Sequence, residues 1–118
     1  MGRIVFVHEK DREWQWSRKA TWPGAATEGE PRVRYKVLNT QETGGPNSQL
    51  AEYEPGHVEA PHSHPHDELL YILSGHGSLA ERRLEPGVLL FIERDTVYGP
   101  LTAGEQGLTF LRVQMSAG

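Results

Sequence analysis

The sequence predicts an all-β fold of the sandwich or barrel kind, and three observations support this prediction. Gly and Pro are frequent, with 13 and 8 occurrences in 118 residues, whereas together they make up roughly 12% of an average protein. Short apolar or alternating segments recur roughly every 8–12 residues, with Gly, Pro or Asn between them. Only residues 9–19 are compatible with a helical turn or two. We expect one domain over residues 1–118, because such a chain is too short for two cores.

Each predicted strand depends on one of two patterns. Alternating apolar and polar residues mark half-buried strands, because side chains two apart share a face. Continuous apolar or β-branched runs between turn residues mark buried strands. In chain order the predicted strands are residues 3–7, 32–38, 49–54, 57–64, 68–73, 78–84, 88–92, 96–101 and 108–115. Turns are predicted between them at residues 42–48, 55–56, 74–77 and 86–87, with a hairpin turn near Glu81 and Arg82.

The predicted elements divide the domain into two parts. Residues 1–31 are expected to form an N-terminal strand and an irregular segment, and residues 32–116 a barrel. Trp14, Trp16 and Trp22 in the irregular segment are expected to pack over the barrel, with a place at the substrate entrance or in a dimer contact as alternatives. Arg32, Arg34 and Lys36 share one face of the first barrel strand, which is predicted to be solvated, with an anion site as the alternative.

Composition excludes several classes of function. The formal net charge is −4, which gives no support for a nucleic-acid or anionic-membrane partner. No apolar run approaches the roughly 18 residues of a membrane span, and the first residues do not form a secretory signal. The chain has no Cys, so disulfides, thiolate metal sites and a Cys nucleophile are excluded. We expect a cytoplasmic protein that uses His, carboxylates, Tyr or a bound cofactor.

A cluster of histidines is the main functional signal. Four of the six His lie within ten residues: His57, His62, His64 and His66. His62 and His64 share a strand face about 6.5–7 Å apart along the strand and can converge on one ion, and Glu68 follows closely. Two neutral imidazoles and one carboxylate with positions left open suit Fe(II), Mn, Ni, Co or Zn. The alternative is a solvated, His-rich loop.

Residues 56–75 resemble the first sequence motif of the cupin superfamily. That motif is Gly, five residues, His, one residue, His, three or four residues, Glu, six residues and Gly, and it is matched by Gly56, His62, His64, Glu68 and Gly75. The resemblance implies a single-domain double-stranded β-helix, or jelly-roll, barrel. It also implies a metal ion in the barrel mouth, held by the two His and the Glu.

The second cupin motif is poorly matched. In the family pattern Gly is followed by Pro, Gly, His and Asn at fixed spacing, and counting from Gly87 places Glu93, Asp95, Tyr98 and Thr102 at those four positions. A Tyr therefore stands where the resemblance implies a fourth metal ligand.

Tyr98 has three possible roles. A free phenol has a pKa near 10 and ligates poorly while protonated, but a nearby cation lowers that pKa. Tyr98 is then a tyrosinate ligand, a proton donor to substrate, or a packing residue of the barrel. Among the remaining His, we expect His57 to face outward and His66 to lie in a loop, with contact to the ion or substrate as its alternative. His8 and His76, in the predicted 74–77 turn, are expected to be solvated.

The resemblance leads us to expect a metal-dependent enzyme acting on a small organic substrate. The leading expectation is an oxidoreductase of dioxygenase type, with Fe(II) at His62, His64 and Glu68 and assistance from Tyr98. One alternative is a metal-assisted lyase, isomerase or cyclase in which His66 or Tyr98 moves a proton. Another is a non-catalytic binding protein. Exposed edge strands also favour a homodimer.

Overall fold

Eight antiparallel strands form one sheet in this computed structural model, which describes residues 2–17, 32–40 and 45–115. The prediction of an all-β fold is confirmed. A short 3₁₀ helix at Glu9–Asp11 precedes the strands. The strands are β1 (Gln15–Trp16), β2 (Val33–Asn39), β3 (Asn47–Tyr53), β4 (Val58–Glu59), β5 (Glu68–Leu79), β6 (Arg82–Leu84), β7 (Leu89–Ile92) and β8 (Leu101–Gln114). No helix in these residues is long and apolar enough to cross a bilayer.

The two longest strands, β5 and β8, organise the barrel. β8 lies between β3 and β5, and its first residues also pair with β4. The first part of β5 pairs with β7 and its last part with β6. Register shifts within β5 bend the strand where it changes partners, as bulges do in rolled sheets. The result is the cupin jelly roll that the motif implied.

The core lies inside the rolled sheet and follows a period of two. On β5, Glu68, Leu70 and Ile72 point inward and are buried, whereas Tyr71 and Leu73 are exposed on the outer face. The buried apolar residues are Val33, Ala51, Tyr53, Leu70, Ile72, Leu84, Ile92, Tyr98, Leu101, Ala103, Leu108 and Phe110. Glu68 is therefore the innermost polar member of an otherwise apolar row.

The predicted turn at residues 74–77 is wrong, because β5 continues through it to Leu79. The hairpin turns instead at Ala80 and Glu81, one residue before the predicted place. Gly75 has a φ of +79°, and a Cβ there would lie 2.2 Å from the Gly107 carbonyl oxygen. The glycine allows β5 to approach β8 closely, which a local sequence pattern does not distinguish from a turn.

The N-terminal segment differs from the prediction in two ways. Residues 3–7 have the composition of a strand but form none, because they pair with no described strand. Ile4 and Phe6 are consequently 82% and 90% exposed. Of the basic residues predicted to be solvated, Arg32 is exposed, Arg34 is half-buried and Lys36 is buried. Trp14 lies 4.5 Å from the guanidinium carbon of Arg34, and Lys36 is buried against this segment.

Ion pairs fix this cover in place. Lys36 Nζ lies 2.8 Å from Glu9 Oε2, and this bond lowers the pKa of the Glu9 carboxyl. Arg34 pairs with Glu52 at 2.7 Å and also faces Trp16. The packing expected of Trp14 and Trp16 is thus on the outer face of β2, and Trp22 lies outside the described residues.

Candidate metal centre

The connections before β5 and before β8 meet at one backbone bridge. His62 N donates to the Tyr98 carbonyl at 3.1 Å, and Tyr98 N donates to the His62 carbonyl at 2.9 Å. The predicted strands 57–64 and 96–101 are otherwise reduced to Val58–Glu59 and this bridge. Pro61 and Pro100 explain the difference, because proline has no N–H for a ladder.

The bridge brings the predicted site residues together. The ring centroids of His62 and His64 are 4.8 Å apart at an interplanar angle of 86°. The Tyr98 ring lies 4.8 Å from the His62 ring and 6.3 Å from the His64 ring. Glu68 is the first residue of β5, and its Oε1 atom lies 3.9 Å from His64 Nε2. The four side chains form one cluster.

Glu68 is fully buried and three polar side chains face its carboxylate. Tyr98 donates its hydroxyl to Oε1 at 3.0 Å, and Gln114 Nε2 donates to Oε2 at 3.0 Å. Arg112 Nε lies 3.5 Å from Oε2. Arg112 and Gln114 lie outside both motifs and are not among the site residues that the sequence predicts. The one available indication is the period of two in the last predicted strand, which puts Arg112 and Gln114 on the same face as Phe110.

The protonation of the two His favours metal binding. His62 Nδ1 lies 2.8 Å from the Ala60 carbonyl, so it carries the proton and the lone pair of the neutral ring is at Nε2. Burial lowers the pKa of His64, which keeps that ring neutral near pH 7. Its Nε2 atom is buried without a hydrogen-bond partner among the described residues.

The donor set fits a divalent transition metal in type and number. Two neutral imidazoles and a carboxylate are preferred ligands of such ions, and a cation would satisfy the buried His64 Nε2. In residues 2–17, 32–40 and 45–115, no three His, Asp or Glu side chains already stand at metal-holding distances. The Glu68 carboxylate is instead held by Tyr98 and Gln114. His62, His64 and Glu68 are the residues that would hold the ion.

Tyr98 faces the barrel interior and is 8% exposed. Burial raises the pKa of its phenol well above the ordinary value, and the adjacent Glu68 charge raises it further against the opposing charge of Arg112. In this arrangement the phenol is protonated and donates to Glu68.

The other His depart from expectation in part. His57 does not face outward, because its Nε2 lies 2.8 Å from Glu59 Oε1 and its ring packs edge-on against Tyr53. His76 lies within β5, not in a turn, and its ring contacts Gly104. His66 lies in the connection before β5 with Nδ1 buried and lacking a hydrogen-bond partner in the described part of the chain.

Fold and site together define a small jelly-roll barrel with a His- and carboxylate-lined interior. The family model described as Cupin domain matches residues 49–114, which run from within β3 to the end of β8 and contain all four site residues. The chain belongs to the cupin domain family. No curated protein sequence matches it significantly.

Solved structures with the same fold include proteins with varied activities in their names. KdgF from a Halomonas species is 21% identical, with a TM-score of 0.69 over 97% of this chain and 96% of that one. The polyketide cyclase RemF from Streptomyces resistomycificus is 23% identical, with a TM-score of 0.75 over 96% and 80%. The DMSP lyase DddQ from Ruegeria pomeroyi is 14% identical, with a TM-score of 0.68 over 91% and 57%. At these identities the likeness establishes the fold alone.

Proposed function

We propose that the chain is a metal-dependent enzyme that converts a small organic molecule inside the barrel, with His62, His64 and Glu68 holding the ion. The observation that carries this proposal is the His64 Nε2 atom, buried beside Glu68 without a hydrogen-bond partner among the described residues. We expect Fe(II) first, although Mn, Ni, Co or Zn suit the same donors. Such an ion supplies open coordination positions and Lewis acidity. The expected location is the cytoplasm.

The residues around the cluster have complementary tasks. The Tyr98 hydroxyl donates to Glu68 with 3.0 Å between the two oxygen atoms. It is placed to give its proton to a substrate atom or to orient the substrate. Leu70 and Phe110 are fully buried next to this cluster, and these side chains exclude water from the inner end of the site.

The reaction class we propose first is oxidation of the dioxygenase type. Two His and one carboxylate leave coordination positions for both a substrate and O₂, which is the arrangement of many oxygenases. A second candidate is a lyase, isomerase or cyclase reaction that transfers a proton without oxidation. It is favoured by the buried Tyr98 phenol, which is protonated and donates its hydroxyl to Glu68 at the centre of the cluster.

Elemental analysis of the purified protein tests the metal site. We expect near-stoichiometric iron or another transition metal in the wild type and its loss in His62→Ala/His64→Ala. His8→Ala removes an exposed His outside the cluster and should leave the metal content unchanged. Absence of metal from the wild type, also after reconstitution, would contradict the proposal.

Oxygen uptake then separates the two reaction classes. With the metal-loaded protein and a panel of small carbonyl compounds and organic acids, oxidation consumes O₂ as product forms. Product formed without O₂ uptake, and slowed by Tyr98→Phe at unchanged metal content, identifies the proton-transfer class.

A further inference from the structure

Arg112 is a buried cation that the metal proposal leaves unexplained. It projects inward from β8, is 7% exposed, and its Nε atom has no hydrogen-bond partner among the described residues. The guanidinium carbon lies 5.5 Å from the Phe110 ring and 5.9 Å from the Tyr35 ring. These two aromatic rings flank the charged group. The Tyr35 hydroxyl also accepts a hydrogen bond from the guanidinium, but arginine has five N–H donors, so this bond does not fill the fork.

A role as counter-ion of Glu68 does not account for this geometry. Arginine meets a carboxylate best through two parallel N–H···O bonds. Here Tyr98 donates to one Glu68 oxygen and Gln114 to the other, and the nearest Arg112 approach is 3.5 Å. The fork of donors on Arg112 is therefore not occupied by Glu68.

The charges of the interior give a second argument. With a divalent ion at the proposed centre, the ion and Arg112 carry three positive charges. The buried carboxylates are Glu59 and Glu68, and Glu59 is already bonded to His57 at 2.8 Å. The loaded site would thus have a net positive charge in a region of low dielectric, which an anionic ligand would balance.

We propose that Arg112 binds a carboxylate group of the substrate, which makes the substrate class a small organic acid. This inference deepens the proposed function and rests on it. The carboxylate would accept hydrogen bonds from the Arg112 fork, and the rest of the molecule would extend past Glu68 toward Tyr98. Arg112 thereby sets the orientation of the substrate and selects against neutral molecules of the same shape.

Calorimetric titration with benzoate and with the isosteric neutral benzamide tests this inference. We expect benzoate to bind the metal-loaded wild type about ten-fold more tightly or better, as charge-assisted hydrogen bonds allow. Arg112→Met should abolish most of this preference without weakening benzamide. Arg94→Met, which removes an exposed arginine near the site, should leave both affinities unchanged.

Two further arms keep the test decisive. Arg112→Lys retains a positive charge beside Glu68, so it serves as a second variant if Arg112→Met fails to fold. It should lower the benzoate preference several-fold because the fork is lost.

Repeating the titration on metal-free protein shows whether the preference requires the ion. We expect a smaller preference that still depends on Arg112, because the Glu68 charge is then not offset.

Equal binding of benzoate and benzamide, or a preference that survives in both Arg112 variants, overturns the inference. Metal content measured on the same samples tests the proposed function separately. A protein that binds metal without preferring benzoate refutes the carboxylate site alone. A protein that binds no metal refutes the proposed function, and its Arg112-dependent preference for benzoate would still support the carboxylate site.

Discussion

At the scale of single residues, the interior of this barrel buries several tyrosine phenols. Tyr53 is fully buried and Tyr98 nearly so, and burial raises the pKa of both. Burial also raises the pKa of the Tyr35 phenol, although the charge of Arg112 opposes this rise. A buried phenol keeps its proton where an exposed one would lose it. Above a pH of about 10, the Tyr98 phenol therefore still donates to Glu68, beside the Gln114 amide.

These phenols make stability fall in alkali. Above the ordinary tyrosine pKa of about 10, the unfolded chain loses phenolic protons that the native barrel retains, so the free energy of unfolding decreases as pH rises. Below that pH the contribution is fully present. We expect Tyr53→Phe and Tyr98→Phe each to flatten this decrease, as measured by denaturant unfolding between pH 8 and about 11.

Tyr71→Phe is the matched control, because Tyr71 lies on the outer face of β5 and is 42% exposed. A decrease of the same steepness in all three variants would contradict the assignment to buried phenols. Phenolate absorbance, followed through the same pH range, reports the titration independently of unfolding.

At the scale of elements, sequence patterns located most of the barrel strands but not their lengths or partners. The apolar run of residues 68–73 predicted a strand that begins at Glu68, and motif spacing predicted that His62, His64 and Glu68 converge. The contribution of Arg112 was not predictable in this way. It depends on β8 lying next to β5 in the sheet, and a pairing between segments distant in sequence has no local signal.

Glycines show the same limit. The sequence signal for a turn and the signal for close strand contact are the same residue type, so Gly75 was assigned to a turn. Only the tertiary structure shows that its missing side chain accommodates the Gly107 carbonyl. The motif predicts a glycine at position 75, and the pairing of β5 with β8 explains why a side chain does not fit there.

Gly75→Ala should destabilise the barrel more than Gly87→Ala. Both glycines have positive φ, +79° and +98°, but a Cβ at Gly87 meets nothing within 4 Å. Left-handed backbone strain costs about 1–2 kcal/mol in either variant, and the steric conflict at Gly75 adds about 1–3 kcal/mol. Denaturant unfolding measures both losses. Equal losses would mean that the close approach of β5 to β8 relaxes at little cost.

At the scale of the whole molecule, one outer face of the barrel is apolar. Tyr71 and Leu73 on β5 and Leu89 and Phe91 on β7 are between 42% and 62% exposed. The chain also exposes an apolar N-terminal segment, residues 4–6, outside the sheet. We propose that a second copy covers this face, because a two-fold arrangement lets each copy cover the apolar surface of the other.

We therefore expect a homodimer in solution, with twice the 13.2 kDa chain mass in light scattering. Phe91→Lys should shift the mass toward the monomer, because it places a charge in the apolar face. Arg83→Gln, at an exposed position on β6, should not. Deletion of residues 2–7 tests the contribution of the N-terminal segment. A wild-type monomer at micromolar concentration would contradict this expectation.

The place of β8 in the sheet has a consequence for how the protein is made. Of the described strands, β8 leaves the ribosome last, yet it is the strand that joins β3 to β5. Until β8 emerges, the edges of β3 and β5 that it will join are unpaired, and the apolar interior of the barrel is exposed. At about 5–20 residues per second, that interval lasts seconds, long enough for a chaperone to bind or for neighbouring nascent chains to aggregate. Expression conditions that supply chaperones should therefore raise the yield of folded protein.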